Sequence, residues 1–398
     1  MTAGDPLPQT IAIAGAWGYI GRKVLEASLA LGVEPYVYDP GPRPGDLDLG
    51  RVHVLADEEA LYRLPADLFH LALHPQHRAT ALRILLGRAA QEPLLLLVEK
   101  PMADPERHRD CQAVIDQVEP TRAVFLYDFP ELFEPMTLAI TDWLARFRRV
   151  QIDEVTLYRG KDREDPALPR NYKKMVHIQY QESVHCLAFL LHLLGRVHGG
   201  LAPLFAGGLH AAAQSLPYEP PNPEAYPYVV DGQVRYGLRL GRTRVHGMTN
   251  FKRGAEFAKR KLIRGTAEGR PFTVEVDHFE GRKYLRIDGR DQGFAPDVSS
   301  YESILTTLWR WHRGQDQQCL MEGIYPNPRF ARLTYQLSGV LWHASWTGRP
   351  VELASAEELV GFRPGFEGAV AGFGRYLTAS RRLPSRRAPC RRPGRPCP

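Results

Sequence analysis

Ile11-Ala12-Ile13-Ala14-Gly15-Ala16-Trp17-Gly18-Tyr19-Ile20-Gly21-Arg22-Lys23-Val24-Leu25 is the stretch on which the fold turns. A short β-branched run ends in a glycine, and two more glycines follow at spacing G-x-x-G-x-x-G. Apolar residues then recur with helical period through Leu31. Glycines between a strand and a helix permit a tight turn and let backbone N–H groups approach a pyrophosphate at the helix N-terminus. The turn from Gly15 through Ala16, Trp17, Gly18, Tyr19 and Ile20 to Gly21 is therefore a candidate dinucleotide site. Asp39 ends the next strand, where a carboxylate accepts hydrogen bonds from ribose hydroxyls and repels a 2′-phosphate. That favours NAD, with NADP kept open because Arg43 is close by.

Outward from this turn, strand and helix alternate. Strands are expected at Tyr36–Tyr38, Val52–Leu55, Leu68–Leu73 and Leu94–Val98, with helices at Glu58–Leu64 and His77–Ala90. Such alternation predicts a Rossmann-type, doubly wound parallel sheet. After about residue 122 the texture changes to period-2 segments punctuated by Asp231-Gly232, Gly241-Arg242 and Asp288-Gly289. A C-terminal α+β domain with a large, mainly antiparallel open sheet is expected there. The predicted division is an arm over residues 1–8, a Rossmann domain over 9–122, a substrate and oligomerisation domain over 123–355, an extension over 356–377 and a disordered Arg/Pro-rich tail over 378–398.

The chain has 398 residues, a formal net charge of +6, 44% hydrophobic and 24% charged residues. That length fits two domains, and the composition is globular. The last eighteen residues hold seven arginines and no acid, so without them the net charge of +6 becomes −1. A specific nucleic-acid partner is not expected, and affinity from the tail would be salt-sensitive. No apolar run approaches the length of a membrane span, and the N-terminus lacks the basic and apolar regions of a signal peptide. Five scattered cysteines form neither a disulfide framework nor a zinc spacing, so a cytoplasmic location is expected. His74-Pro75-Gln76-His77 has ligand-like spacing without clustered acidic or cysteine partners, and no metal is expected. The basic run Arg253, Lys259, Arg260 and Lys261 reads as a solvated strand edge, with a phosphate-bearing substrate as the alternative.

Glu99-Lys100-Pro101 follows the fifth strand, at the sheet end where ligands of such folds bind. With Val98-Glu99-Lys100-Pro101-Met102-Ala103-Asp104-Pro105 and the preceding order of elements, residues 9–355 resemble the glucose–fructose oxidoreductase/inositol dehydrogenase (Gfo/Idh/MocA) family. Ala344–Leu353 is similar to the family's closing segment, with Ala344 in the place of a serine. The resemblance implies a cis Lys100–Pro101 bond, a nicotinamide above the His74-Pro75 loop, and homodimers or tetramers built through the C-terminal sheet. It implies catalytic roles for Lys100, for His185 on the first long helix of the second domain (Val176–Leu194), and for Glu182, which shares a helix face with His185 at i, i+3. Glu99 joins the cofactor-binding set. The chain departs from the family at Ala188, where an aspartate is usual, and at Tyr127-Asp128-Phe129-Pro130-Glu131.

The resulting expectation is an NAD(P)-dependent oxidoreductase moving a hydride between nicotinamide and a secondary alcohol or ketone of a small-molecule sugar or cyclic polyol. His185 would take the hydroxyl proton, Glu182 would orient it, and Lys100 would polarise the oxygen. A catalytically inactive dinucleotide-binding sensor and an imine reductase stand beside it as alternatives.

Overall fold

The computed structural model describes residues 7–226, 228–279, 282–293 and 300–366. The tail expected to be disordered, and most of the N-terminal arm, lie outside them.

The first sheet has six parallel strands: β1 (Thr10–Ala14), β2 (Glu34–Tyr38), β3 (His53–Val54), β4 (Leu68–Leu71), β5 (Leu94–Glu99) and β6 (Ala123–Asp128), in the order β3-β2-β1-β4-β5-β6. The crossovers are α1 (Tyr19–Ala30), α2 (Glu58–Arg63), α3 (Ala79–Ala89) and α4 (Asp110–Val118). Central strands covered on both faces read as continuous apolar runs, as in Leu94-Leu95-Leu96-Leu97-Val98, all buried. The expected doubly wound sheet is therefore present, but it does not stop at residue 122. Ala123–Asp128, assigned from sequence to the second domain, pairs in parallel with β5 from Leu94↔Ala123 to Glu99↔Asp128. A fully buried strand carries no polar alternation to mark the domain it serves.

Two short helices, α5 (Pro130–Phe133) and α6 (Pro135–Leu144), lead into β7 (Val150–Gly160). Next come α7 (Val184–His198), α8 (Leu201–Phe205), β8 (Leu209–Pro217), β9 (Asp231–Leu240), β10 (Thr243–Asn250), β11 (Ala258–Ala267), β12 (Arg270–Phe279), β13 (Arg282–Ile287) and β14 (Arg290–Asp291). The chain continues through α9 (Ser300–Gly314), α10 (Gln317–Glu322), α11 (Pro328–Thr347), β15 (Val351–Leu353) and α12 (Ala356–Gly361). The second sheet runs β14-β13-β12-β11-β7-β10-β9-β8-β15 and is antiparallel except between β7 and β10. β11 lies between β12 and β7, so Lys259, Arg260 and Lys261 are not on a solvated edge: Lys261 is only 6% exposed. Two to four charges in a strand look solvated until the acids that neutralise them, distant in sequence, are placed.

The closing helices return to the first domain. α9 packs on α1, and α11 packs on α4. Tyr127 N–H donates to the Pro326 carbonyl at 2.7 Å, and the Tyr335 hydroxyl donates to the Asp104 carbonyl at 2.6 Å. No helix of the described residues is long and apolar enough to cross a membrane.

Candidate active site

The glycine turn joins β1 to α1 through three glycines with different duties. Gly15 has φ +79°, a conformation that side chains disfavour, and a Cβ there would lie 2.6 Å from the Ala72 carbonyl oxygen. Gly21 lies against the turn itself, where a Cβ would fall 2.0 Å from the Gly15 oxygen. Gly18 is exposed and caps α1 in extended conformation, with no side chain on the helix N-terminus. The carboxylate of Asp39 accepts from Trp17 N–H at 2.9 Å and from Gly41 N–H at 2.7 Å, fixing the acid across the turn. Ala16 is buried, Trp17 and Ile20 are half-buried, and Tyr19 stands 66% exposed, with Lys173 Nζ 5.5 Å from its ring centre.

Gly15, Gly18, Asp39, Leu73 and His74 line a cleft of about 580 Å³ at the carboxyl ends of β1 and β2. That volume is in the usual range for small-molecule sites. The His74 ring, kept below its ordinary range chiefly by burial, lies 3.5 Å from Asp104. Pro75 opens a single 3₁₀ turn and borders a separate groove against α3 and α4.

Arg78, which sequence reasoning passed over, fastens this loop to the Glu99-Lys100-Pro101 turn. Its guanidinium donates to the Leu73 carbonyl at 2.8 Å, to the Pro101 carbonyl at 2.8 Å and to the Glu99 carbonyl. The Lys100–Pro101 peptide is cis. The Glu99 side chain is buried at 7% exposure, 3.8 Å from His70, and is not among the groups lining the cleft.

Lys100 reaches across to the second domain, where its Nζ donates to the Gln181 carbonyl at 3.1 Å. The long helix read from Val176 to Leu194 is instead a π-helical turn, Gln179–Ser183, followed by α7. Such widened turns recur at functional sites. His185 stands one residue into α7 and is 5% exposed, with Nδ1 buried and without a hydrogen-bond partner. Burial, with the positive charges of Arg159 and Lys100, holds its pKa well below the usual imidazole range. At neutral pH the ring is uncharged, the form that accepts a proton, while burial and the same cations weaken it as a base.

Glu182 is engaged elsewhere. Its carboxylate accepts from Arg159 Nε and, at 2.9 Å, from Lys161 Nζ, and these cations hold its pKa well below the usual carboxylate range despite burial. Arg159 also donates to Glu131, which accepts from Lys261 and lies 3.4 Å from Lys259. Arg159 and Lys259 oppose each other on β7 and β11, and Glu131 reaches between these like charges. Burial pulls the Lys161 amine down to about 8, against the pull of Glu182, and its Nζ lies 4.9 Å from the Phe251 ring centre. Arg159 and Lys161 are the site residues that the sequence reading missed. Their signal was two cations at i, i+2 where β7 ends, on one side of the pleat.

The charges acting on His185 are Arg159 and Lys100 against Glu182 and Glu131. With both carboxylates of that set held by cations, Lys100 is the cation placed to meet an oxyanion developing on a substrate hydroxyl or carbonyl.

No family model matches the chain, and no curated protein matches it. Solved structures do. A super-repressor variant of Gal80p from Saccharomyces cerevisiae superposes with TM-score 0.63 at 12% identity, over 89% of this chain and 100% of that one. A putative myo-inositol dehydrogenase from Sinorhizobium meliloti gives 0.62 at 14% identity, over 87% and 99%. A levoglucosan dehydrogenase, solved with NADH and levoglucosan, gives 0.62 at 12% identity, over 86% and 98%. These neighbours are of the Gfo/Idh/MocA type, and the chain shares their fold across nearly its whole described length.

Proposed function

We propose that the chain is a nicotinamide-dependent oxidoreductase acting on the secondary alcohol or ketone of a sugar or cyclic polyol, with NAD as the favoured cofactor. The observation that carries this reading is the contact of Lys100 with Gln181 O, which brings the lysine of the first domain beside the turn that presents His185. Gly15, Gly18, Gly21, Asp39 and His74 would hold the dinucleotide, whose nicotinamide supplies the hydride chemistry when bound. Neutral His185 takes the proton of the substrate hydroxyl, and the Lys100 ammonium donates a hydrogen bond to the same oxygen as negative charge grows on it. Glu182 acts at one remove, holding Arg159 and Lys161 in place rather than orienting the ring. The open face of the nine-stranded sheet is the surface we assign to homo-oligomerisation.

The test is a panel of sugars, inositols and sugar acids with NAD and NADP, following absorbance of the reduced cofactor. Lys100→Ala should lower turnover about 10²–10⁴-fold while leaving dinucleotide binding nearly intact. Unchanged turnover on the true substrate would remove Lys100 from the reaction.

A second reading, a dinucleotide-binding regulator without turnover, is favoured by one observation. His185 lacks an orienting partner on Nδ1, because Glu182 is held by cations and Ala188 offers no carboxylate. The Gal80p structures, which include one described as a transcriptional regulator, share this fold. Tight cofactor binding with failure of every substrate would favour it.

A further inference from the structure

The register of the first sheet gathers three side chains that the proposed reaction does not use. His70 pairs with Leu97, and Glu99 pairs with Asp128. Side chains alternate along a strand, so residues 70, 97, 99 and 128 stand on one face of three adjacent strands. His70 is 0% exposed, Asp128 1% and Glu99 7%, and one ligand atom from each lies within 4.8 Å of the others. Both ring nitrogens of His70, both carboxyl oxygens of Asp128 and Oε1 of Glu99 are buried without a hydrogen-bond partner.

Five such atoms in one place call for a compensating group, since a buried polar atom left without a partner is destabilising. A proton shared between the two carboxyls would serve only two of them and would leave both nitrogens of His70 unmet. A divalent cation meets more of the set, leaving only the second nitrogen of His70 as an N–H. Its charge balances two carboxylates, and it takes one nitrogen and two or more oxygens at once. Arg78 cannot play that part, because its guanidinium is spent on three backbone carbonyls.

We propose that His70, Glu99 and Asp128 form a buried site for one divalent transition-metal ion of the zinc class. Zinc takes imidazole nitrogen and carboxylate oxygen at about 2.0–2.2 Å, which sets tetrahedral neighbours about 3.4 Å apart. The His70 Nε2 to Glu99 Oε1 separation is 3.8 Å, a few tenths of an ångström from that value, and all three ligand atoms lie within 4.8 Å of one another. The ion would tie the ends of β4, β5 and β6 together one residue before Lys100. Its role is to fix the turn that aims the lysine, and it does not touch the substrate.

The experiment measures metal in the full chain, purified with its affinity tag removed and dialysed, by elemental analysis. The chelator-stripped chain is then titrated with zinc against a chromogenic chelator and, separately, with cobalt as a spectroscopic probe. One zinc per chain is expected, with His70→Ala and Asp128→Asn each weakening binding at least tenfold and His77→Ala binding as the wild type does. Cobalt should give d–d bands without thiolate charge transfer. A wild-type chain that takes up no stoichiometric zinc, even when refolded with it, overturns the proposal. So does a variant pair that binds as tightly as wild type, or a cobalt spectrum with thiolate bands, which would move the ion to a cysteine. If the variants do not fold, the wild-type stoichiometry and the cobalt spectrum decide. None of these readouts depends on turnover, so the site stands or falls apart from the proposed reaction.

Discussion

Gly18 and Gly21 belong to one short motif, yet the structure separates their duties, and an alanine at each tests the separation. A Cβ on Gly21 would lie 2.0 Å from the Gly15 oxygen and 2.9 Å from Ala16 Cα, where ordinary contact begins at 3.4 Å. The first turn of α1 must therefore retreat by about 1.4 Å from the turn it packs on. Overpacking of this kind costs about 1–3 kcal/mol, which at about 2–4 °C per kcal/mol for a larger chain lowers the melting temperature by about 2–12 °C. Gly18 has φ −65°, open to any residue, and a Cβ there meets only the Gly15 oxygen, at 3.3 Å. Gly18→Ala should leave the melting temperature within about 2 °C of the wild type. It nevertheless puts a methyl group on the bare N-terminus of α1, where a pyrophosphate must come close. A loss of tenfold or more in NADH affinity is expected, equivalent to about 1.4 kcal/mol. Calorimetric titration with NADH beside thermal unfolding reads both quantities. If Gly18→Ala binds NADH as the wild type does, the turn is not the dinucleotide site. If Gly21→Ala melts with the wild type, the steric account of the turn is wrong.

Three further outcomes follow from the geometry. Glu131→Gln keeps the shape but leaves Arg159, Lys259 and Lys261 short of a counter-charge in a buried setting, and should cost about 3–5 kcal/mol in urea unfolding. Stability equal to the wild type would mean that these cations are solvated. His192 sits buried, its Nδ1 3.0 Å from the Ile324 carbonyl and its Nε2 accepting from Arg196, and its pKa is pushed down to about 3 by burial first and then by Arg196. A histidine depressed in the folded state gives its full stability above the unfolded value near 6.5 and loses it as pH falls. Between pH 6.5 and 4.5 the loss is about 2.3 kcal/mol, and His192→Leu should flatten that part of the stability–pH curve. Asp39→Ser should raise NADP affinity relative to NAD, measured by titration with both reduced cofactors; an unchanged ratio would take Asp39 out of ribose recognition.

What could be read in the sequence was what local pattern encodes. The glycine turn, the alternation that builds the parallel sheet, and the lysine after the fifth strand are contiguous, and each lies where expected. What escaped was decided by partners far along the chain. Lys259 and Lys261 looked solvated because Glu131 and Glu134 are more than a hundred residues away. Glu182 shares a helical spacing with His185, but the cations at the end of β7 claim its carboxylate. Arg78, inside the helix expected over His77–Ala90, gave no local sign of the three carbonyls of two loops that close on it. His70, in an apolar strand, gave no sign of the two carboxyls that the sheet register brings beside it.

The return of α9, α10 and α11 to the first domain bears on how the chain is made. Glu119 meets Arg329 at 2.8 Å, and β6 completes its bonding only when Pro326 arrives. A ribosome adding about 5–20 residues per second leaves the outer edge of the first sheet uncovered for roughly 10–40 s after β6 is made. During that interval the nascent protein presents β6 and the apolar side of α4 without their partners, and holding them apart from other chains is work for a chaperone. A fragment ended after residue 128 would stay in that condition permanently, so the dinucleotide half should aggregate when expressed alone.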